Sequence, residues 1–288
     1  MIYSPLRYPG GKNKLAKFIA KICVDNDISE HYIEPYAGGA AVALYLLLEN
    51  KVLKITINDY DRSIYAFWHA VLKNTKELCE LIERTKINIE NWQKAKEVQK
   101  NKQKTRLLDL GFSTFFLNRT NISGILGGGL IGGKNQKGNY KMDCRFNKKD
   151  LVKRIKIIAK QKKRIHLYNL DAIDLIKKIQ LESQDTQQSI FYFDPPYYLK
   201  GQSLYINYYK HDDHEQVSKA IRRIKNIHWI VSYDNVPEIK KIYNWVETPK
   251  QKEYSLLHTA RNAREGKEIL FFSKNLIVPK IANPTLVK

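Results

Sequence analysis

The run Ile190-Phe191-Tyr192-Phe193-Asp194-Pro195-Pro196-Tyr197 sets a carboxylate, two prolines and an aromatic ring directly after four apolar residues. Such an apolar run reads as a buried strand of a parallel sheet. Neither proline has an N–H to give to a sheet ladder, so the strand ends there, and the carbonyls of Asp194 and Pro195 are left to accept from something else. A carboxylate, a free carbonyl and a flat ring side by side suit a planar substrate with an exocyclic NH2. The two acceptors take its hydrogens while Tyr197 stacks on its face. The plainer alternative is a strand followed by a Pro-Pro turn with a surface acid, and the rest of the chain has to decide between them.

The elements around this run supply a second site. Arg7-Tyr8-Pro9-Gly10-Gly11-Lys12 precedes an amphipathic helix with Leu15, Phe18, Ile19 and Ile22 at helical spacing. Its glycines permit close backbone approach to a ligand, Tyr8 offers a ring and Lys12 a cation near a helix start, although an ordinary turn has the same composition. Tyr32-Ile33 reads as a short strand running into Glu34-Pro35-Tyr36-Ala37-Gly38-Gly39-Ala40, and an apolar helix follows through Leu48. Strand, glycine turn and helix make the first βα unit of a doubly wound fold, where nucleoside-containing cofactors bind. The next strand, Lys54 to Asn58, ends at Asp59, at the spacing where such folds set an acid on ribose hydroxyls. The turn is not GxGxxG, which points to an adenosyl cofactor smaller than a dinucleotide. Arg164 to Tyr168 reads as a strand ending in Asn169-Leu170-Asp171. The strand ends at Asp59, Asp171 and Asp194 therefore line one crevice in an open α/β sheet. His228 to Asn235 is a further strand with a polar end, and Tyr254-Ser255-Leu256 and Glu268 to Phe272 read as closing strands joined by a basic loop.

Between about Arg62 and Asp150 the βα alternation stops. The pattern becomes helical and polar, with Trp68, Leu72 and Leu78 at core-facing positions and a lysine-rich run, Lys94 to Arg106, that suits a solvated helix face or phosphate contact. Phe115-Phe116-Leu117-Asn118-Arg119-Thr120-Asn121 mixes rings with amide and guanidinium groups. Asn pairs with adenine edges and Arg with guanine, so Asn118 and Arg119 are candidate base readers, though a plain helix end is equally compatible. A glycine-rich loop, Ser123 to Gly133, leads into Lys134, Lys137, Lys141 and Arg145 and reads as a loop that tracks DNA. Gly128 to Lys134 matches G-x-x-x-x-G-K, but Asn135 stands where a magnesium-ligating hydroxyl is needed and no apolar strand leads in, which argues against a phosphate-binding loop. After Tyr197 a polar, aromatic loop carrying Lys200 and Tyr205 is suited to close over a substrate strand. His211 and His214 beside Asp212 and Asp213 fit helix capping better than a metal site, and no metal is expected.

The chain has 288 residues, 43% of them apolar, and a formal charge of +21, which implies a polyanionic partner. Cys23, Cys79 and Cys144 lie far apart without CxxC spacing, so neither a disulfide framework nor a zinc site is indicated, and a reducing cytoplasm fits. The amino terminus lacks an apolar signal region and the run Ala40 to Leu48 is too short to span a bilayer, so a soluble protein with no membrane partner is expected.

Taken together, Tyr8-Pro-Gly-Gly-Lys12, Glu34-Pro-Tyr-Ala-Gly-Gly39, Asn58-Asp59, Asp194-Pro-Pro-Tyr197 and Ser232-Tyr-Asp-Asn235 resemble, in order and over nearly the whole chain, the Dam-type DNA adenine-N6 methyltransferases that use S-adenosylmethionine. Asp-Pro-Pro-Tyr alone also resembles cytosine-N4 enzymes, and a catalytically inactive DNA-binding homologue is the third alternative. The resemblance implies an α/β, Rossmann-like methyltransferase fold with a mostly parallel seven-stranded sheet. Residues 1–61 and 150–288 would form the catalytic core, and residues 62–149 an inserted, mainly helical target-recognition domain. It further implies that Tyr8, Lys12, Glu34, Tyr36, Gly38, Asp59, Asp171 and Asp194 hold the cofactor, and that Asp194, Pro195, Pro196 and Tyr197 perform the transfer. Asn118, Arg119, Lys134, Lys137, Lys141, Arg145, Lys200 and Tyr205 would contact double-stranded DNA. A separately encoded restriction endonuclease and a monomeric or weakly dimeric state complete the expectation. Two departures stand out: Tyr8 replaces a tryptophan common in the family, and Ala40 a third glycine.

Overall fold

Five runs of mainly apolar, largely β-branched or aromatic residues become parallel strands: β1 (His31–Glu34), β2 (Lys54–Asn58), β3 (Ile165–Tyr168), β4 (Ser189–Phe193) and β5 (His228–Asp234). They belong to a computed structural model that describes residues 2–8, 11–182, 187–199, 209–258 and 264–287. A carboxyl-terminal hairpin, β6 (Gln251–His258) and β7 (Arg264–Phe272), completes a seven-stranded sheet of order β3-β2-β1-β4-β5-β7-β6. β7 runs antiparallel between β5 and β6. The chain winds outward from β1 to β3 and then returns to β4 beside β1, so the strand order reverses between β1 and β4. A crevice opens at the carboxyl ends of the strands at such a switch point. Glu34 closes β1 and Asp194 follows β4, one on each side of it.

Alternation along β4 divides the core in two. Ile190 and Tyr192 join the cluster built with α1 (Ala16–Asp25), α2 (Ala41–Leu48), α3 (Arg62–Lys73) and α7 (Lys148–Lys160). Phe191 and Phe193, stacked at 5.3 Å, join the cluster built with α8 (Ala172–Glu182), α9 (His211–Arg222) and α10 (Pro237–Ile242). Both β4 phenylalanines are fully buried, and each such side chain contributes roughly 2 kcal/mol of apolar transfer. With both faces covered, the strand has no polar side until it ends at Asp194.

The interruption after β2 is helical, as its pattern predicts: α3 is followed by α4 (Thr75–Arg84), α5 (Ile89–Lys100) and α6 (Leu107–Thr120). These helices do not stand apart from the sheet. Trp68 of α3 and Phe115 and Phe116 of α6 lie in the same apolar cluster as Tyr32 and Tyr192. Gly111 lets α6 come against α3, since a Cβ there would sit 2.5 Å from the Ala66 carbonyl oxygen. Within the lysine-rich run several cations have acids beside them: Lys94 pairs with Glu90 at 2.6 Å, Lys100 with Glu97 at 2.9 Å and, just past α5, Lys102 with Asp61 at 3.1 Å. The run is a solvated face carrying its own counter-charges. No helix among the described residues is long and apolar enough to cross a membrane.

Candidate active site

The turn after β1 is held from three directions. Gly38 takes a left-handed φ of 46°, and a Cβ on it would stand 2.6 Å from the Tyr8 ring, so glycine is what lets the ring lie on the turn. The Gly38 N–H donates to Asp59 Oδ2 at 2.9 Å, and its carbonyl accepts from Trp68 Nε1 at 2.9 Å. Ala40, the position of the third glycine in the resemblance, also has a left-handed φ, 47°. The alanine thus carries the strain that a glycine would relieve. Asn58 ties the neighbouring strand ends together. Its amide donates to the carbonyls of Pro35 at 2.9 Å and Leu170 at 3.0 Å and accepts from the Leu170 N–H at 2.9 Å. That fixes the loops carrying Tyr36, Asp59 and Asp171 relative to one another.

A cavity of about 630 Å³ opens over these loops, within the range of small-molecule sites. Tyr8, Lys12, Glu34, Tyr36, Asp59, Asp171 and Asp194 all line it, so the structure brings seven of the eight expected cofactor contacts to one wall, and Gly38 braces the turn behind it. Burial pushes the Glu34 carboxyl up to about 8 despite hydrogen bonds from the Tyr32 hydroxyl and the Ala43 N–H. Asp59 is raised to about 7, by desolvation and then by the charge of Asp61. Asp194 is likewise raised to about 7, by desolvation against the opposing pull of Lys12. Carboxyls that are costly as anions in this buried setting suit a ligand that brings positive charge to them. Asp171 is engaged differently: its Oδ1 caps α8 by accepting from the Ile173 N–H at 2.8 Å.

Lys12 lines this cavity and is at the same time held by side chains around Asp194. Its ammonium, 4% exposed, lies at the acceptor end of the cavity. It donates to the Tyr197 hydroxyl at 2.6 Å and to Glu268 Oε2 at 2.9 Å, and stands 3.4 Å from Asp194 Oδ1. Tyr197 is placed differently from the open stacking ring that the sequence suggests. Its ring is 5% exposed, Lys12 Nζ sits 4.8 Å from the ring centre, and its hydroxyl donates to Glu268 Oε1. In this arrangement the ring braces the acceptor turn instead of offering an open stacking face. Pro196 and Tyr192 line the cavity beside Asp194. The turn itself is fixed by Asp234 at the end of β5, whose two oxygens accept from the N–H groups of Tyr198 at 2.9 Å and Leu199 at 3.1 Å. Sequence reasoning missed Glu268 because it lies in a closing strand. The available signal was one acid in the apolar run Glu268-Ile269-Leu270-Phe271-Phe272.

The expected DNA contacts divide into three groups. Asn118 is 1% exposed and its amide is fully used: Oδ1 accepts from the Arg7 N–H at 2.7 Å, and Nδ2 donates to the carbonyls of Arg7 at 2.8 Å and Gly124 at 2.9 Å. It clamps the amino-terminal segment to the end of α6 and is no base reader, so the plain helix-end alternative holds. Arg119, 9% exposed, is buried as well, which does not suit an open base reader. Burial and the charges of Arg7, Arg154 and Arg145 push it down to about 10, with Asp150 opposing. Arg7 Nη1 and Arg119 Nε are buried without hydrogen-bond partners among the described residues. Lys134, Lys137, Lys141 and Arg145 are exposed as expected. Lys200 and Tyr205 lie outside the described residues, as do Pro9 and Gly10. His211 and His214 fall in α9, where the Lys210 N–H is capped by Asp213 at 2.8 Å and His214 Nδ1 meets the Tyr233 hydroxyl at 2.9 Å. The capping is thus done by Asp213, while His211 Nδ1 meets the Tyr198 hydroxyl at 3.1 Å and His214 is buried.

Residues 8–259 match the model of the D12 class N6 adenine-specific DNA methyltransferases. The type II methyltransferase M.MjaIII of Methanocaldococcus jannaschii is 28% identical over 233 residues, covering 75% of this chain and 77% of that protein. Among solved structures, the SAM-dependent methyltransferase from Agrobacterium tumefaciens aligns at a TM-score of 0.41 and 8% identity. That alignment covers 89% of this chain and 60% of that one. At this score the fold is read from the strand order above.

Proposed function

The chain belongs to the D12 class of N6 adenine-specific DNA methyltransferases, and from that premise we propose which residues perform the transfer. Family membership separates adenine N6 from the cytosine N4 that Asp-Pro-Pro-Tyr alone leaves open. S-adenosylmethionine, when bound, supplies the electrophilic methyl group. The cavity fits it on its own terms: a glycine turn under an aromatic ring, Asp59 and Asp171 at neighbouring strand ends, and carboxyls that gain from a nearby cation. Tyr8, Glu34, Tyr36, Gly38, Asp59 and Asp171 would hold it.

The observation that carries the catalytic assignment is Asp194 at the switch-point crevice, open to the cavity and followed by prolines that end the strand. The N6 lone pair of adenine is delocalised into its ring. Asp194 and the Pro195 carbonyl accept its two hydrogens, favouring a tetrahedral nitrogen and stabilising the positive charge that grows on it. Pro196 fixes the carbonyl's direction, and alignment within the cavity supplies much of the remaining rate. Because N6 is stacked inside duplex DNA, the adenine is flipped out to reach this end of the cavity. Asp194→Ala abolishes methyl transfer from labelled S-adenosylmethionine and leaves DNA affinity within a few-fold; near-parental turnover would sink the assignment.

In the same reading, residues 62–149 recognise the target, chiefly beyond α3, whose Trp68 serves the cofactor turn. Ile125, Leu126 and Gly127 form the cavity wall on that side. Arg7, Arg145 and Arg154, backed by the buried Arg119 and with Asp150 among them, make a setting suited to a backbone phosphate, and Lys134, Lys137 and Lys141 extend it. The enzyme acts as a monomer or weak dimer in a reducing cytoplasm. A separately encoded restriction endonuclease with the same target is its functional partner, a reading supported by the type II description of the relative. Sedimentation tests the first of these, and protection of methylated DNA against that nuclease tests the last.

A further inference from the structure

Glu268 and Lys12 are 256 residues apart in sequence and are buried together at the acceptor end of the cavity. Glu268 reaches there from β7, where it lies opposite Asp234 on β5 and Tyr254 on β6. Its two oxygens are fully engaged: Oε1 accepts from the Tyr197 hydroxyl, and Oε2 accepts from both Lys12 Nζ and the Tyr254 hydroxyl. Lys12 in turn spans Glu268, Tyr197 and Asp194. A buried ion pair is a poor stabiliser, since apolar residues of similar size often replace it without loss. Placing one against the reacting carboxylate calls for a reason beyond stability.

We propose that Glu268 is a positioning residue for methyl transfer: from β7 it fixes the Lys12 ammonium between Asp194 and Tyr197, so that the carboxylate offered to the adenine amine is held in place, its proton affinity set by the balance of the two charges, and the Tyr197 ring stays docked. The inference rests on Asp194 being the acceptor of the amine hydrogens.

The groups facing Asp194 are few. Lys12 approaches from the amino-terminal segment and Glu268 from β7, while Glu34 acts on it from β1 and Tyr192 from β4. Tyr254 of β6 and Ser232 of β5 complete the surroundings of Lys12 and Glu268. Lys12 stands 3.4 Å from Asp194, and burial would discharge it were the acids not beside it. Glu268 pins that cation and divides its charge. Removing Lys12 leaves Asp194 among carboxyls alone, so it takes a proton more readily. Neutralising Glu268 leaves the whole Lys12 charge on Asp194, which then loses its proton more readily. The two substitutions break one salt bridge yet push the carboxylate in opposite directions.

Single-turnover methyl transfer to duplex DNA, followed between about pH 5 and 9, reads this out as the acid limb of the rate profile. Glu268→Gln moves the limb to lower pH and Lys12→Met moves it to higher pH, each by about one unit, with the double variant between them. Glu268→Asp keeps the charge on a shorter arm, so it leaves the limb in place and lowers the plateau rate. Thermal unfolding of each variant checks that it is folded; if Lys12→Met is not, the Glu268→Gln and Glu268→Asp pair carries the test. Equal losses at every pH with an unmoved limb would show a merely structural bridge and overturn the inference. Residual transfer by Asp194→Asn would instead overturn the acceptor assignment beneath it.

Discussion

Glu34, Asp59 and Asp194 share one cavity, and burial raises each carboxyl, to about 8, 7 and 7 respectively. Desolvation is the largest cause in all three, so a cation entering the cavity lowers all three at once. At neutral pH part of this acid set is protonated before the cofactor binds, and binding of a sulfonium that also carries an amine expels protons. Cofactor affinity therefore rises as pH increases from roughly 6 to 8, and the heat of binding depends on the buffer's ionisation enthalpy. Isothermal titration in two buffers checks both. An affinity flat across that range, with no proton release, would mean that these carboxyls do not face the positive charge. The same scale shows why single residues resisted assignment. Asn118 and Arg119 have side chains apt for reading bases, yet whether such a side chain points outward or inward depends on how α6 packs on α3.

The glycine turn between β1 and α2 shows how an element is fixed by the side chains around it. Gly38 and Ala40 both have left-handed φ, and only Gly38 is pressed by the Tyr8 ring. Gly38→Ala costs about 1–3 kcal/mol, because the new Cβ is strained and displaces the ring, and it weakens cofactor binding with it. Ala40→Gly is close to neutral: relief of left-handed strain offsets the loss of one buried methyl and the added chain entropy, each about 1 kcal/mol. Urea unfolding with a cofactor titration separates the two. If both substitutions had the same effect, the Tyr8 contact would not be what makes position 38 special. Strand β4 presents the complementary case, an element whose boundary is set by chemistry: Phe193 is buried on one face of the sheet, and the prolines after Asp194 end the strand at the crevice.

For the molecule as a whole, the charge of +21 has to be set against where it lies. Lys94 and Lys100 of α5 pair with acids of their own helix, whereas Lys134, Lys137 and Arg145 are exposed on the segment between α6 and α7. Charge reversal at Lys134 and Lys137 lowers affinity for all DNA sequences alike and reduces the salt-dependence slope by about 2, one counterion for each lost phosphate contact. Fluorescence anisotropy against salt, with several duplexes, measures this. A changed choice of sequence in place of a uniform loss would make these lysines readers of bases.

The order of motifs along the chain was enough to determine the doubly wound sheet, the acids at its strand ends and the place of Asp194 after Phe193. Apolar runs, prolines and glycines act locally, and local signals survive in sequence. Tertiary structure alone decided the roles of Lys12, Tyr197, Glu268 and Asn118. Lys12 was expected at the cofactor for its place beside the glycines, yet its ammonium is drawn to an acid 256 residues away. Glu268 sat unremarked in a closing strand until the hairpin brought it beside β5. A buried charge must find its counter-charge wherever the fold supplies one, and that partner is fixed by strand order, which no spacing in the sequence encodes.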